Sequence, residues 1–394
     1  MSVAAGRPGR PSLPLEPAAS IAAGDRVAVT GASGFIGSAI TRRLLERGAS
    51  VVAVTEPAAT LWNLRNLDVE VQPADVRDAT AVRRALAGSR FVFHTAALYG
   101  FWARDPSVFY AVNVDGTRHV LDAARAEGVE RIVYTSTVGT LGLESATRGV
   151  PVTEEAVADV SHLFGHYKRS KYVAEHEVLR AAAEGVSVSL VLPTFPLGPG
   201  DLRPTPTGKV LVDVLNTRMP GYVDTAMNVT HVDDLAAGHL LALERGVPGR
   251  SYIMGGENLS MRELLVLVAE AAGLQPPEIR FPKAFALAAG LVSETVEGRI
   301  LRRAPSVPLE AARMSTTTMI FDDTRARQEL GYASRPAREA VDDSVRWFFD
   351  NGYVHRRPER ATSWVASLAR WPETWSKARR TWSPRYNSAQ HVPR

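Results

Sequence analysis

Residues 25–57 read DRVAVTGASGFIGSAITRRLLERGASVVAVTEP, and the architecture of the chain follows from how this stretch is understood. Val27, Ala28 and Val29 form the short, uniformly apolar run expected of a buried parallel strand. Gly31, Gly34 and Gly37 follow at once. Phe35, Ile36, Ile40, Leu44 and Leu45 then recur at helical spacing, Gly48 is a stop signal, and 50–55 reads as a second strand. Glycines between a strand and a helix permit a tight turn and close approach of backbone to a pyrophosphate. The helix N-terminus adds free N–H groups and partial positive charge for that anion. Gly31, Ser33, Gly34, Phe35, Ile36 and Gly37 are therefore the first candidate cofactor-binding residues.

The same alternation continues outward. Strands are expected at 69–72, 91–96, 131–136 and 186–193, with helices over 79–87, 106–127 and from about 166. Alternating strands and helices imply a Rossmann-type α/β fold: a doubly wound parallel sheet covered on both faces. After Pro193 the rhythm breaks. Residues 198–209 are a turn-rich loop, 228–244 read as strand, turn and helix, and 250–256 as a strand, both strands expected to rejoin the sheet. The division expected is a flexible N-terminal arm at 1–23 and a dinucleotide-binding domain at 24–200 and 226–256. A smaller, mostly helical substrate-binding lobe takes 201–225 and 257–355, and a C-terminal extension takes 356–394. The run AFALAAGLV at 284–292 reads as a core helix, with a lid over an apolar substrate as the alternative.

Composition narrows the classes. The chain has 394 residues, no cysteine and a formal charge of +4. Disulfides, thiol nucleophiles and cysteine metal sites are excluded. No apolar run reaches the roughly 20 residues needed to span a bilayer, and the start lacks a signal-peptide core. A cytoplasmic location is the expectation. The charge is uneven: 356–394 hold nine Lys and Arg against two Asp and Glu. That segment places Trp364, Trp371, Trp375 and Trp382 at spacings of 7, 4 and 7, with Pro372 and Pro384 interrupting. It reads as packing back on the enzyme, with a peripheral membrane contact or a partner chain as alternatives. Nucleic acid is not expected as a partner, and a homodimer is allowed. His94, His166 and His231 have no metal-ligand spacing, so no metal is expected.

Within GHYKRSK, residues 165–171, Tyr167 and Lys171 lie one helical turn apart on one face. A phenol ionises near about 10, and an adjacent ammonium lowers that value by favouring the phenolate. Such a pair beside a nicotinamide exchanges a proton with a substrate hydroxyl or carbonyl, and Lys171 also reaches the ribose. Ser136 and Thr137 end the fifth strand and offer a hydroxyl to orient the substrate oxygen. Glu56 ends the second strand, nineteen residues past Gly37. An acid there accepts from ribose hydroxyls and repels a 2′-phosphate, which favours NAD; Arg42, Arg43 and Arg65 leave NADP open. Tyr99, Phe101 and Trp102 are candidates for an apolar pocket wall. Arg203, Lys209 and Arg218 are candidates for a diphosphate, with solvated surface the stronger reading.

The motifs GASGFIG, FHTAA, NVDGT, VYTSTVG, YKRSK and LPTFPLGP stand in the order found in the extended short-chain dehydrogenases/reductases, the NAD-dependent epimerase/dehydratase group. The chain resembles that group over about 25–355. The likeness is greatest to hopanoid-associated sugar epimerases and dihydroflavonol reductase-like enzymes, through LWNLRNLDVE, FWARDP, GHYKRSK, PTPTGK, LNTRMPGYVDT, HVDDLAAGHLLALERG and MGGENL. The resemblance implies a hydroxyl–Tyr–Lys triad on Thr137, Tyr167 and Lys171, with threonine where serine is usual and Ser136 adjacent. It also implies that Asp75 and Val76 hold the adenine, Ala96 and Ala97 line the cofactor path, and Pro193 and Thr194 touch the nicotinamide end. Many relatives carry arginine where this chain has Glu56. The implied activity is NAD(P)-linked hydride transfer at a secondary alcohol or ketone of a small molecule. Nucleotide-sugar epimerisation by the same triad, and a non-catalytic dinucleotide sensor, stand as alternatives.

Overall fold

A computed structural model of the protein describes residues 19–160 and 163–355, in two compact units. The first comprises residues up to Thr194, Asp233–Gly255 and Phe321–Ser334; the second comprises Phe195–Val232, Gly256–Ile320 and the residues from Arg335.

The first unit is built on seven parallel strands: β1 (Arg26–Thr30), β2 (Ser50–Thr55), β3 (Glu70–Pro73), β4 (Phe91–His94), β5 (Arg131–Thr135), β6 (Val188–Pro193) and β7 (Ser251–Met254). Their order is β7-β6-β5-β4-β1-β2-β3. The central strands are apolar and sealed: Val27, Ala28, Val29, Phe91, Val92, Phe93 and Val133 have no exposed surface. Parallel strands need crossovers, and the helices that supply them bury one face each on this sheet. They include α1 (Phe35–Glu46), α2 (Ala79–Leu86), α3 (Gly116–Ala126) and α4 (His166–Ala183). Asp78 caps α2 by accepting from the N–H groups of Thr80 and Ala81.

The chain leaves β1 toward β2 and β3, then returns to place β4 on the other side of β1. This reversal opens a crevice beyond the carboxyl ends of β1 and β4, where ligands bind in open α/β sheets. The helical stretch expected over 106–127 is not uniform. Ser107–Tyr110 is α-helical, Ala111–Asp115 is a π turn, and α3 follows. The widened turn contains Asn113, whose side chain is fully engaged with neighbouring loops, and such insertions gather at functional sites. Near the start, Ile21 is buried and Asp25 accepts from the Ala22 N–H. The rest of the expected arm and the tryptophan-bearing extension lie outside the described residues.

The second unit has its own core, where Leu211, Val214 and Leu215 meet Leu264, Leu265, Val268, Val341, Val345 and Phe348. Two expectations are corrected here. The strand Ala226–His231 does not rejoin the seven-stranded sheet; it lies between Phe195–Leu197 and Glu257–Ser260 in a three-stranded sheet. An apolar strand announces burial but not its partner, and Ala226–His231 finds its hydrogen bonds on these neighbours. The helix Lys283–Ser293 is not a core helix, because Gly290 is its one buried residue.

Among the glycines of the first turn, Gly37 is the most confined. A Cβ there would sit 2.2 Å from the Gly31 carbonyl oxygen, whereas one at Gly100 would meet nothing within 4 Å. Gly37→Ala is expected to cost roughly 1–3 kcal/mol of stability, and Gly100→Ala to be near neutral, in urea unfolding followed by circular dichroism. Equal effects would contradict this account of the turn.

Candidate active site

The glycine turn and the β4 loop meet at the crevice. Gly31 has φ +70°, and a Cβ on it would lie 2.9 Å from the Ala96 backbone. Thr30 ties the two loops together. Its carbonyl accepts from Thr95 Oγ1 at 2.7 Å and its hydroxyl oxygen from the Ala96 N–H at 3.2 Å. Gly34 precedes α1 with no side-chain cap, and no acid stands in the first turn. The leading N–H groups and the positive end of the helix are thus left for an anion. Ser33, Phe35 and Ile36 are half-buried around it, and Asn63 holds the Ser33 carbonyl at 3.2 Å. This cradle has the backbone character a dinucleotide pyrophosphate requires.

Glu56 is exposed at the end of β2. Of the three nearby arginines, Arg43 pairs with Glu46, Arg42 faces Asp233, and the Arg65 guanidinium stacks 3.2 Å from the Trp62 ring centre. Asp75 is engaged by Arg77, which donates from Nε and Nη2 and holds the carboxyl below the usual range. Val76 is buried, and a Cβ on Gly116 would strike its side chain at 2.7 Å. Its carbonyl lies 2.9 Å from His119 Nδ1. Ala97 is exposed and Ala96 half-buried. Pro193 ends β6 opposite Met254, and Thr194 Oγ1 donates to the Met254 carbonyl at 3.4 Å.

Tyr167 and Lys171 occupy the first turns of α4. Tyr167 is half-buried, its ring centre 4.7 Å from that of Tyr99, which in turn lies 6.3 Å from Phe101. Lys171 is 2 % exposed. Its Nζ donates to the Tyr134 hydroxyl at 2.7 Å and to the Thr135 carbonyl at 2.8 Å. Burial lowers the amine to about 7, and the Glu175 carboxylate, one turn further on, opposes that shift. Burial also holds the Tyr134 phenol well above its usual range, so it remains a neutral partner for the amine.

The two candidate hydroxyls are separated by this geometry. Ser136 is buried and donates to Glu175 Oε2 at 2.6 Å, and Thr140 Oγ1 lies 2.8 Å from the same oxygen. Thr137 is half-buried, and its Oγ1 accepts from the Gly139 N–H at 3.1 Å, which leaves its own hydrogen available to a substrate oxygen. A Cβ on Gly139 would lie 3.4 Å from Thr137 Oγ1 and 3.5 Å from Lys168 Cγ, so this loop and the start of α4 are neighbours.

Several groups that frame the site escape the spacing rules. Asn113 accepts from the Leu98 N–H at 2.7 Å, donates to the Leu98 carbonyl at 3.1 Å and donates to Ser170 Oγ at 2.9 Å. It therefore fixes the β4 loop to the turn that carries Tyr167. His94 is wholly buried between Thr30 and Thr117. Thr117 spends its hydrogen on the Asn113 carbonyl, so His94 Nε2 donates to Thr117 and Nδ1 accepts from Thr30. Burial and nearby Lys171 keep this ring neutral, lowered to about 3. The signals for these residues were polar side chains inside apolar strands, His94 in FVFH and Tyr134 in RIVYT, and the motif NVDGT that begins at Asn113. Among the described residues, no cluster of His, Cys, Asp or Glu could hold a metal.

A glycine turn at the reversal of a doubly wound sheet, with a tyrosine and a buried lysine one turn apart beside it, defines the nucleotide-binding oxidoreductase and epimerase class of α/β folds. The NAD-dependent epimerase/dehydratase family model matches residues 27–255, and the chain belongs to that family. It is 39 % identical to a Synechocystis protein named as a dihydroflavonol 4-reductase, across 85 % of this chain and 97 % of that one. It is 32 % identical to sterol demethylase protein B of Methylococcus capsulatus, across 83 % and 99 %. Among solved structures, a nucleoside-diphosphate-sugar epimerase from Pseudomonas aeruginosa superposes with a TM-score of 0.70 at 27 % identity, across 84 % and 99 %.

Glu175 is expected to support the charge on Lys171. In Glu175→Gln, a nitrogen-detected NMR titration should place the Lys171 midpoint lower by about one unit, because removing an anion disfavours the ammonium. An unmoved midpoint would confine Glu175 to holding Ser136 and Thr140.

Proposed function

We propose that this protein is an NAD-dependent oxidoreductase acting at a secondary alcohol or ketone of a small molecule through Thr137, Tyr167 and Lys171. The observation that carries the reading is the buried Lys171 amine, held by Tyr134 and Thr135 one turn from the half-buried Tyr167 phenol. When bound, the nicotinamide supplies or receives the hydride. In the reductive direction the Thr137 hydroxyl donates to the substrate carbonyl oxygen and polarises it. Tyr167 gives its phenolic proton to that oxygen, and the carbonyl becomes the alcohol. The phenolate left behind is stabilised by the Lys171 ammonium, and oxidation reverses each movement. Two of the three ammonium hydrogens are committed to Tyr134 and Thr135, and the third is the one for the nicotinamide ribose.

The residues for the cofactor are Gly31, Ser33, Gly34, Phe35, Ile36 and Gly37 under the pyrophosphate, Glu56 at the adenosine ribose and Asp75 with Val76 at the adenine. Ala96, Ala97, Pro193 and Thr194 flank the path to the nicotinamide. Asp75 reaches that role with its carboxylate already shared with Arg77. The pairing of Arg43 with Glu46 and the burial of Arg42 in the field of Asp233 support NAD. Reductase-named relatives favour net reduction or oxidation. The epimerase among the structural neighbours supports a second reading, transient oxidation and re-reduction of a nucleotide-linked sugar by the same residues.

Absorbance of reduced nicotinamide separates the two. Consumption of NADH with a ketone panel supports the first reading; isomer formation with no net absorbance change replaces it with the second. Tyr167→Phe is expected to lower kcat by about 10²–10⁴-fold with cofactor affinity retained, and unchanged turnover would remove Tyr167 from the chemistry. Glu56→Ala should narrow the preference for NAD over NADP, measured as a ratio of kcat/KM values. A wild-type protein that already prefers NADP would overturn the role of that acid.

A further inference from the structure

The helix α5 (Lys283–Ser293) reads KAFALAAGLVS and has no polar residue between its two ends. A helix that is apolar all round belongs in a core or against an apolar phase. Here Gly290 alone is buried, seated on Ala312 of the following helix α6 (Leu309–Ser315), where a Cβ would come within 2.6 Å of the Ala312 Cβ. The outward face is strongly apolar. Phe285 is 58 % exposed, Val292 61 %, Val296 43 % and Ile300 70 %. Their spacings of 7, 4 and 4 continue one stripe from α5 through the π-helical segment Glu294–Ile300. Of the sixteen large apolar side chains exposed among the described residues, eight fall within 279–307. Phe285, Ala288, Ala289, Val292, Val296 and Val307 line a groove of about 460 Å³ along it.

The charges around the segment are unevenly committed. Glu297 is used within the segment, accepting from Ser293, from the Ser306 N–H and hydroxyl, and from Arg303. Glu294 accepts from the Leu309 N–H. Lys283, Arg299 and Arg302 have no ion pair among the described residues. Glu278, beside Ile279, is likewise without an ion pair, so the stripe presents apolar side chains flanked by a net excess of uncommitted positive charge.

We propose that the apolar stripe of 279–307 docks this protein on an anionic lipid surface, lying in the interface with its cations at the headgroups. The eleven residues of α5 rise only about 16 Å, against roughly 30 Å of bilayer hydrocarbon, so the segment lies along the surface and does not span it. The positive rim selects the sign of the partner. A two-fold contact with a second copy would set Lys283, Arg299 and Arg302 against their own kind. This inference goes beyond the catalytic reading and does not rest on it.

Flotation of the full-length protein with phosphatidylcholine vesicles, with and without about one-third phosphatidylglycerol, tests it. The wild type is expected to float with the anionic vesicles and weakly with the neutral ones. Val292→Glu/Ile300→Glu should lower the partition coefficient by about tenfold or more, with thermal midpoint and turnover unchanged because both positions are at the surface. Failure of the wild type to float would overturn the proposal. Undiminished flotation of the double variant would do the same, by moving the lipid contact elsewhere. Light scattering that shows a wild-type dimer converted to monomer by the double variant would assign the face to a second copy instead.

Discussion

An ammonium taken out of water is the constraint around which the first unit is arranged. Lys171 is 2 % exposed, and an unpaired charge at that depth would be prohibitive. Three groups on two elements answer it. β5 offers the Thr135 carbonyl and the Tyr134 hydroxyl, and α4 brings Glu175 one turn after the lysine. The balance leaves the amine at about 7, where it exchanges protons near neutrality. That balance holds only if α4 and the end of β5 keep their register. Ser136 and Thr140 secure it on one side by bonding Glu175, and Asn113 on the other by bonding both Leu98 and Ser170. Asn113 itself lies in the π turn Ala111–Asp115.

The candidate groups differ in exposure. Lys171, Glu175, Tyr134 and Ser136 are buried and bonded within one network, whereas Tyr167 and Thr137 are half-buried. The Thr137 hydroxyl, whose oxygen accepts from the Gly139 N–H, keeps its hydrogen for donation. Threonine serves as well as serine in that respect, since the added methyl leaves the donor intact.

Much of the first unit was legible because it obeys local rules. A strand, a glycine turn and a helix in succession state both the parallel sheet and the end at which ligands bind. The second unit was less legible, since periodicity reports which residues prefer burial but not against what. The strand Ala226–His231 carried the apolar pattern of a core strand and joined a different sheet. The helix Lys283–Ser293 carried the composition of a core helix and lies at the surface. Among the candidate site residues, Tyr167 and Lys171 were expected from type and spacing, and Thr137 from the family motif with Ser136 beside it. The contacts of Tyr134, Asn113 and Glu175 were not legible, because their partners lie 15 to 57 residues distant in the chain. Glu175 had one local sign, its place four residues after Lys171 on the same helical face.

The central claim is that the Lys171 charge acts on the Tyr167 phenol. Carbon-labelled tyrosine NMR resolves that phenol in a pH titration, in the wild type and in Lys171→Met. The phenol is expected to ionise at higher pH once the ammonium is gone. Coincident titration curves for the two proteins would contradict it.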